Sequence, residues 1–139
     1  VLHIYLAISV SRDNRRARPI SYRKTKSTGG RNWASSTMIY SGLLVLAFVV
    51  LHLKTFKYGN AGAGTLYDLV LGTFRDPLYA GGYAFAMIVL GFHLWHAFQS
   101  AFQTLGLHAH KKLRSTGVVL CLILAGGFCF LPLWAFLSK

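Results

Sequence analysis

The sequence predicts an all-α fold, a bundle of transmembrane helices. Hydrophobic residues make up 54% of the 139 residues, and charged residues only 13%. The charged residues cluster between long apolar runs, whereas a soluble basic protein would scatter them along the chain. A helix needs about 20 apolar residues to cross the hydrocarbon layer. Within that layer each segment must satisfy its own backbone hydrogen bonds, which favours helices.

Four apolar segments define the expected spans of one transmembrane domain over residues 1–139. They cover residues 1–10, 34–54, 79–105 and 115–137. The first is too short to span a membrane, and its apolar residues precede the arginines, the reverse of the order in a signal peptide. We therefore expect it to be the end of a helix that begins upstream, in a domain truncated at its N-terminus.

The basic residues predict the orientation of these spans. Eleven lysines and arginines lie in the segment 11–31 and in the short loop after the third span, against three between the second and third spans. By the positive-inside rule the first and third linkers face the cytoplasm. The net charge of +12 therefore reflects topology. We expect a lipid bilayer and no nucleic acid as a partner, because the basic residues do not form one face with interleaved aromatic side chains.

Four histidines lie within the apolar segments: His3, His52, His93 and His96. An ionisable residue inside a membrane is a functional hypothesis by default. A single such histidine is more often bonded to a backbone carbonyl, but this chain has four of them and no glutamate. Two imidazoles from facing helices can hold a haem iron. A haem-free scaffold with histidines bonded to one another is the alternative.

Depth in the membrane separates these histidines into two groups. His3 lies nine residues before Arg12, or roughly 13 Å from the cytoplasmic surface. His93 lies thirteen residues before Gly106, in the middle of its span or somewhat to the cytoplasmic side. These two are expected to ligate one haem. His52 lies near the outer surface and needs another partner at its own depth.

The third span carries a more specific signal. The run from Gly91 to Gly106, GFHLWHAFQSAFQTLG, resembles the fourth helix of the di-haem cytochrome b membrane anchor of succinate dehydrogenase and fumarate reductase, of the Bacillus and Bacteroidetes type. The segments HIY at residues 3–5, NRRARP at 14–19 and VVLHL at 49–53 are similar to that family too. The resemblance covers essentially the whole chain.

The resemblance implies five helices, with one haem-ligating histidine on each of the first four. This chain would hold the end of helix two and all of helices three to five. His3 and His93 would ligate the proximal haem b, and His52 the distal haem b, together with a histidine of the first helix. His96 is the alternative to His93; it points about 60° away around the helix, and the family aligns its ligand with the first histidine of the motif.

Expectations follow for four further positions, for Ser41 from its place on the same helix face as His52 and for the other three from the resemblance. Arg31 and Trp33 match an Arg-Asn-Trp sequence of the family and would contact the haem propionates; a pair of interface anchors is the alternative. Ser41 would face the proximal haem. Gly91 stands where some fumarate reductases carry a glutamate, so proton transfer through such a carboxylate is not expected.

The implied function is that of the anchor subunit of a bacterial succinate:quinone oxidoreductase (complex II), multi-pass in the inner membrane. It would pass electrons between the iron–sulfur subunit and menaquinone or another quinone, while the flavoprotein subunit interconverts succinate and fumarate. The region of His52, Lys54 and the outer linker 58–75 is the expected quinone site. The alternative is the di-haem anchor of a hydrogenase or formate dehydrogenase; a bc-type cytochrome fits less well, because it carries two ligands on one helix.

Overall fold

A computed structural model describes residues 1–17, 37–60, 62, 64–106 and 111–138. The regular structure of these residues is entirely helical, which confirms the all-α class. The helices are α1 (Leu2–Arg16), α2 (Met38–His52), α3 (Leu66–Phe74), α4 (Pro77–Thr104) and α5 (Lys111–Leu137). A π-helical turn (Leu53–Lys57) continues α2 directly. The chain divides into two units, Val1–Trp33 and Ala34–Lys139.

The first unit contributes α1. The predicted partial span at residues 1–10 forms its first part, and the helix continues through the arginines to Arg16. Nearly all its side chains are exposed. The predicted propionate contacts, Arg31 and Trp33, lie outside the described residues.

The second unit holds three helices that are long and apolar enough to cross a membrane: Met38–Lys57, Pro77–Thr104 and Ser115–Leu137. The expected spans at 34–54, 79–105 and 115–137 overlap all three. The first of them extends to Lys57 because the π turn prolongs α2. The second begins two residues earlier than expected, because the Asp76 carboxylate accepts a hydrogen bond from the Leu78 amide and Pro77 occupies the first helical position.

Helix α4 is the central element of this unit, since it packs along α5 and also against α2. Small residues permit the close approach to α5: a Cβ placed on Gly91 would lie 2.7 Å from the Cβ of Ala125. A Cβ on any glycine of the pairs at 81–82 and 126–127 would meet no atom of the described residues within 4 Å, so the close contact between α4 and α5 is at Gly91.

The short helix α3 lies between the second and third spans and begins with a capping box. The Thr65 hydroxyl accepts from the Asp68 amide, and the Asp68 carboxylate accepts from the Thr65 amide at 2.7 Å. The Asp68 carboxylate also accepts a hydrogen bond from the Thr65 hydroxyl at 2.8 Å. The two hydrogen bonds to the carboxylate, first that from the Thr65 backbone and then that from the hydroxyl, lower the pKa of Asp68. At its other end Phe74 is buried, which anchors α3 to the bundle.

Candidate functional site

His93 faces the first turn of α2. Its Nδ1 lies 3.0 Å from the hydroxyl oxygen of Ser41, and the same hydroxyl lies 3.0 Å from the carbonyl oxygen of Met38. A Cβ placed on Gly42 would come within 3.3 Å of the His93 ring. Helix α2 therefore offers the imidazole a hydroxyl and, beside it, a surface without a side chain.

Local sequence explains this surface. A serine hydroxyl within a helix can bond the carbonyl three or four residues earlier, and the Ser41–Met38 contact has that spacing. Glycine at position 42 leaves room for the ring to approach the backbone of α2. We refer to His93, Ser41 and Gly42 as the serine site.

His52 lies at the other end of α2, among aromatic rings. Its ring centroid is 5.7 Å from that of Phe48, 5.4 Å from Phe56 and 6.1 Å from Tyr83 of α4. Tyr83 packs edge-on against Phe48, Phe56 and Phe74. We refer to His52 and these four residues as the aromatic site. The imidazole is exposed at the surface of the described chain, so the rings contact it without enclosing it.

The π turn contributes directly to the aromatic site. It follows His52 without interruption, and the Tyr58 amide closes it with a hydrogen bond to the Leu53 carbonyl at 3.0 Å. Gly59 comes next, where a Cβ would collide with the Thr55 carbonyl oxygen. Single π turns within α-helices are frequent at functional sites. Here the turn carries Phe56, one of the rings that contact His52.

The two sites lie at different depths of one antiparallel helix pair. Tyr83 and His93 are ten residues apart on α4, or about 15 Å. Ser41 and His52 are eleven residues apart on α2, or about 16 Å. The serine site is at the end of α2 that follows the basic segment 11–31, and the aromatic site is at the opposite end.

His96 has a different environment from His93. The Ser41 contact belongs to His93. Within the described part of the chain, the buried Nδ1 of His96 and the buried indole nitrogen of the adjacent Trp95 have no hydrogen-bond partner. The expectation that His93 is the ligand, with His96 as its alternative, stays a prediction.

His3 belongs to the first unit and is exposed on α1. Its pairing with His93, which belongs to the second unit, also stays a prediction.

A haem and a bare metal ion need different sets of protein ligands. Among the described residues no group of three or more His, Cys, Asp or Glu side chains could hold a metal ion. A haem iron needs only two axial ligands from the protein, because the macrocycle supplies the other four. His52 on α2 and His93 on α4 could therefore each serve a separate haem, with a second imidazole from another helix. Cys121 and Cys129 are free thiols, as their spacing within one helix predicts.

Sequence reasoning missed several contributors to the two sites. Gly42 and Tyr83 carry no pattern that distinguishes them from other small or aromatic residues of a membrane helix. The π turn has no sequence signature either. Ser41 was identified, but as a residue facing a haem and not as a partner of His93.

Comparison with known proteins adds no assignment. No family model, no curated protein and no solved structure matches the chain.

Proposed function

We propose that this chain is the membrane-anchor cytochrome b subunit of a bacterial succinate:quinone oxidoreductase. The observation that carries the proposal is the presence of two histidine sites at opposite ends of the α2–α4 pair, about 15 Å apart in depth. Such a spacing suits two electron carriers that span a membrane in sequence. The resemblance of the run from Gly91 to Gly106 to the family's fourth helix supplies the identity of the complex.

The serine site has the features of a haem-ligand position. A histidine that ligates a metal almost always gives its other ring nitrogen a hydrogen-bond partner, which fixes the orientation of the ring. Ser41 is placed to do this for His93. His93 would hold the proximal haem from α4, and His3 is the predicted second ligand.

The aromatic site suits the second haem. Phe48, Phe56 and Tyr83 hold the His52 ring from the protein side and leave the imidazole exposed. His52 would ligate the distal haem, with a histidine from a further helix as its partner. The exposed lysines 54 and 57 and the segment 58–75 adjoin this site, which supports this end as the place where menaquinone or another quinone reacts.

The residues of the chain have three tasks in this function. The histidines hold the two haems, which when bound carry single electrons between the iron–sulfur subunit and the quinone. The apolar helices keep water away from the electron path. The basic residues at the cytoplasmic end, Lys112 among them, would attract the iron–sulfur and flavoprotein subunits or anionic headgroups.

An optical spectrum of the protein, purified from its native membrane, tests the proposal. We expect a reduced-minus-oxidised difference spectrum with b-type haem bands, and co-purification of a flavoprotein that oxidises succinate. A preparation without b-type haem would support the haem-free scaffold instead. If the protein contains haem but co-purifies with a hydrogenase or formate dehydrogenase, it would still be a di-haem cytochrome b, but the anchor of that other complex.

A further inference from the structure

We propose that Ser41 is a positioning residue that fixes the tautomer of His93. The inference rests on the proposed function, since it assigns Ser41 a role toward the haem that His93 would ligate. It concerns two hydrogen bonds that share one hydroxyl oxygen, both at 3.0 Å.

The direction of these bonds follows from the number of available protons. A serine hydroxyl has one proton to donate and lone pairs with which to accept, and a backbone carbonyl can only accept. The Met38 contact therefore uses the Ser41 proton. The contact with His93 can then form only if the Nδ1–H of the imidazole donates to the Ser41 oxygen.

This direction determines the state of the other ring nitrogen. A neutral imidazole carries one N–H, so a proton on Nδ1 leaves the lone pair on Nε2. The lone pair is what binds a metal. Ser41 thus prepares Nε2 of His93 as the ligating atom before any haem is bound. In the opposite tautomer, Ser41 would have to donate to Nδ1 and give up its bond to Met38.

The neighbouring glycine leaves the room that this arrangement of the ring needs. A Cβ on Gly42 would come within 3.3 Å of the Cε1 carbon of His93, a closer contact than most Cβ atoms make. The ring is therefore seated against the α2 backbone while the hydroxyl holds its Nδ1 edge. The hydroxyl therefore orients the imidazole, and the glycine lets the ring lie close to α2.

The electronic consequence has a definite sign. A hydrogen bond from Nδ1–H to an acceptor increases the basicity of the imidazole, so it donates more strongly to the iron. Stronger donation favours ferric over ferrous iron and lowers the midpoint potential. Removal of the Ser41 hydroxyl should raise the potential of the haem bound by His93, and leave that of the other haem unchanged.

A redox titration of the whole complex, combined with electron paramagnetic resonance of the ferric haems, tests this inference. Ser41→Ala removes the acceptor, Ser41→Thr retains a hydroxyl that can bond the same carbonyl, and Ser100→Ala removes an exposed hydroxyl elsewhere on α4. The titration component that His93→Ala abolishes identifies the haem concerned. We expect Ser41→Ala to raise its midpoint potential and shift its g values, and Ser41→Thr and Ser100→Ala to titrate like the wild type.

The possible outcomes separate this inference from the proposed function. Loss of the His93 haem in Ser41→Ala and its recovery in Ser41→Thr would also support the role of the hydroxyl. An unchanged potential in Ser41→Ala, or equal changes in the alanine and threonine variants, would overturn the inference and leave the haem assignment intact. Absence of b-type haem from the wild-type complex would contradict the proposed function itself.

Discussion

The serine site and the aromatic site hold the same kind of side chain by different means. At the serine site His93 is half-buried, and one hydroxyl defines the direction in which its ring points. At the aromatic site His52 is exposed and is held by the edges and faces of neighbouring rings. A hydrogen bond fixes a tautomer and an angle, whereas ring packing fixes a position and tolerates rotation. The two histidines should therefore respond differently to substitution.

The largest expected effect comes from His93→Ala. This variant should lose the haem at the serine site and retain the other, because the aromatic site lies about 15 Å away along α4. The haem content and the redox titration of the purified complex provide the measurement. Retention of both haems would transfer the ligand role to His96, which His96→Ala would then test.

His52→Ala should affect the opposite end alone. We expect loss of the distal haem and of quinone reductase activity, with succinate oxidation by an artificial acceptor preserved. An assay of both activities on the same preparation makes the comparison direct. Loss of both would mean that His52 maintains the helix bundle and has no separate role in electron transfer.

A smaller effect is expected from a matched pair of glycines. Gly91 lies two residues before His93, and Gly81 lies two residues before Tyr83 of the aromatic site. Gly91→Ala forces a Cβ to 2.7 Å from Ala125 and should destabilise the α4–α5 contact by about 1–3 kcal/mol. Gly81→Ala meets open space and should leave the stability unchanged or raise it by up to about 1 kcal/mol.

Thermal unfolding in detergent, followed by helical circular dichroism, measures this difference. We expect a lower midpoint for Gly91→Ala than for Gly81→Ala. Equal midpoints would show that α4 and α5 can move apart at Gly91 without a loss of stability.

The smallest effect concerns pH at the start of α3, which adjoins the aromatic site. Hydrogen bonds from Thr65 lower the pKa of Asp68 below its usual 3.8. The capping box therefore stabilises α3 fully above pH 3.8. This stabilisation is lost as the pH falls through the lower pKa that Asp68 has in the folded state.

Amide hydrogen exchange of α3, corrected for intrinsic rates, would detect this loss as the pH falls from above 3.8 through the lower pKa of the folded state. Protection in the wild type should fall at the acidic end. Asp68→Asn should show a weaker pH dependence. A wild-type profile that stays flat would contradict the role of the carboxylate.

The sequence was sufficient for the fold class, because length and hydropathy define membrane helices almost independently of tertiary contacts. It also separated His52 from His93 by depth, because helical rise converts residue number into distance. It did not predict that the tight packing would lie at Gly91, since glycine pairs and single glycines look equally suited to close approach. Nor could it reveal the Ser41–His93 bond, which depends on how α2 and α4 are rotated about their axes.

The π turn after His52 has a consequence for the evolution of this chain. A π turn holds one more residue than an α turn does, so this turn is equivalent to a one-residue insertion in the last turn of the helix, which ends at Lys57. The turn thereby sets the position of Phe56 around the helix relative to His52. A relative that lacks the turn should align with a one-residue gap within 53–57, and would then preserve the orientation of His52 while Phe56 leaves the ring cluster.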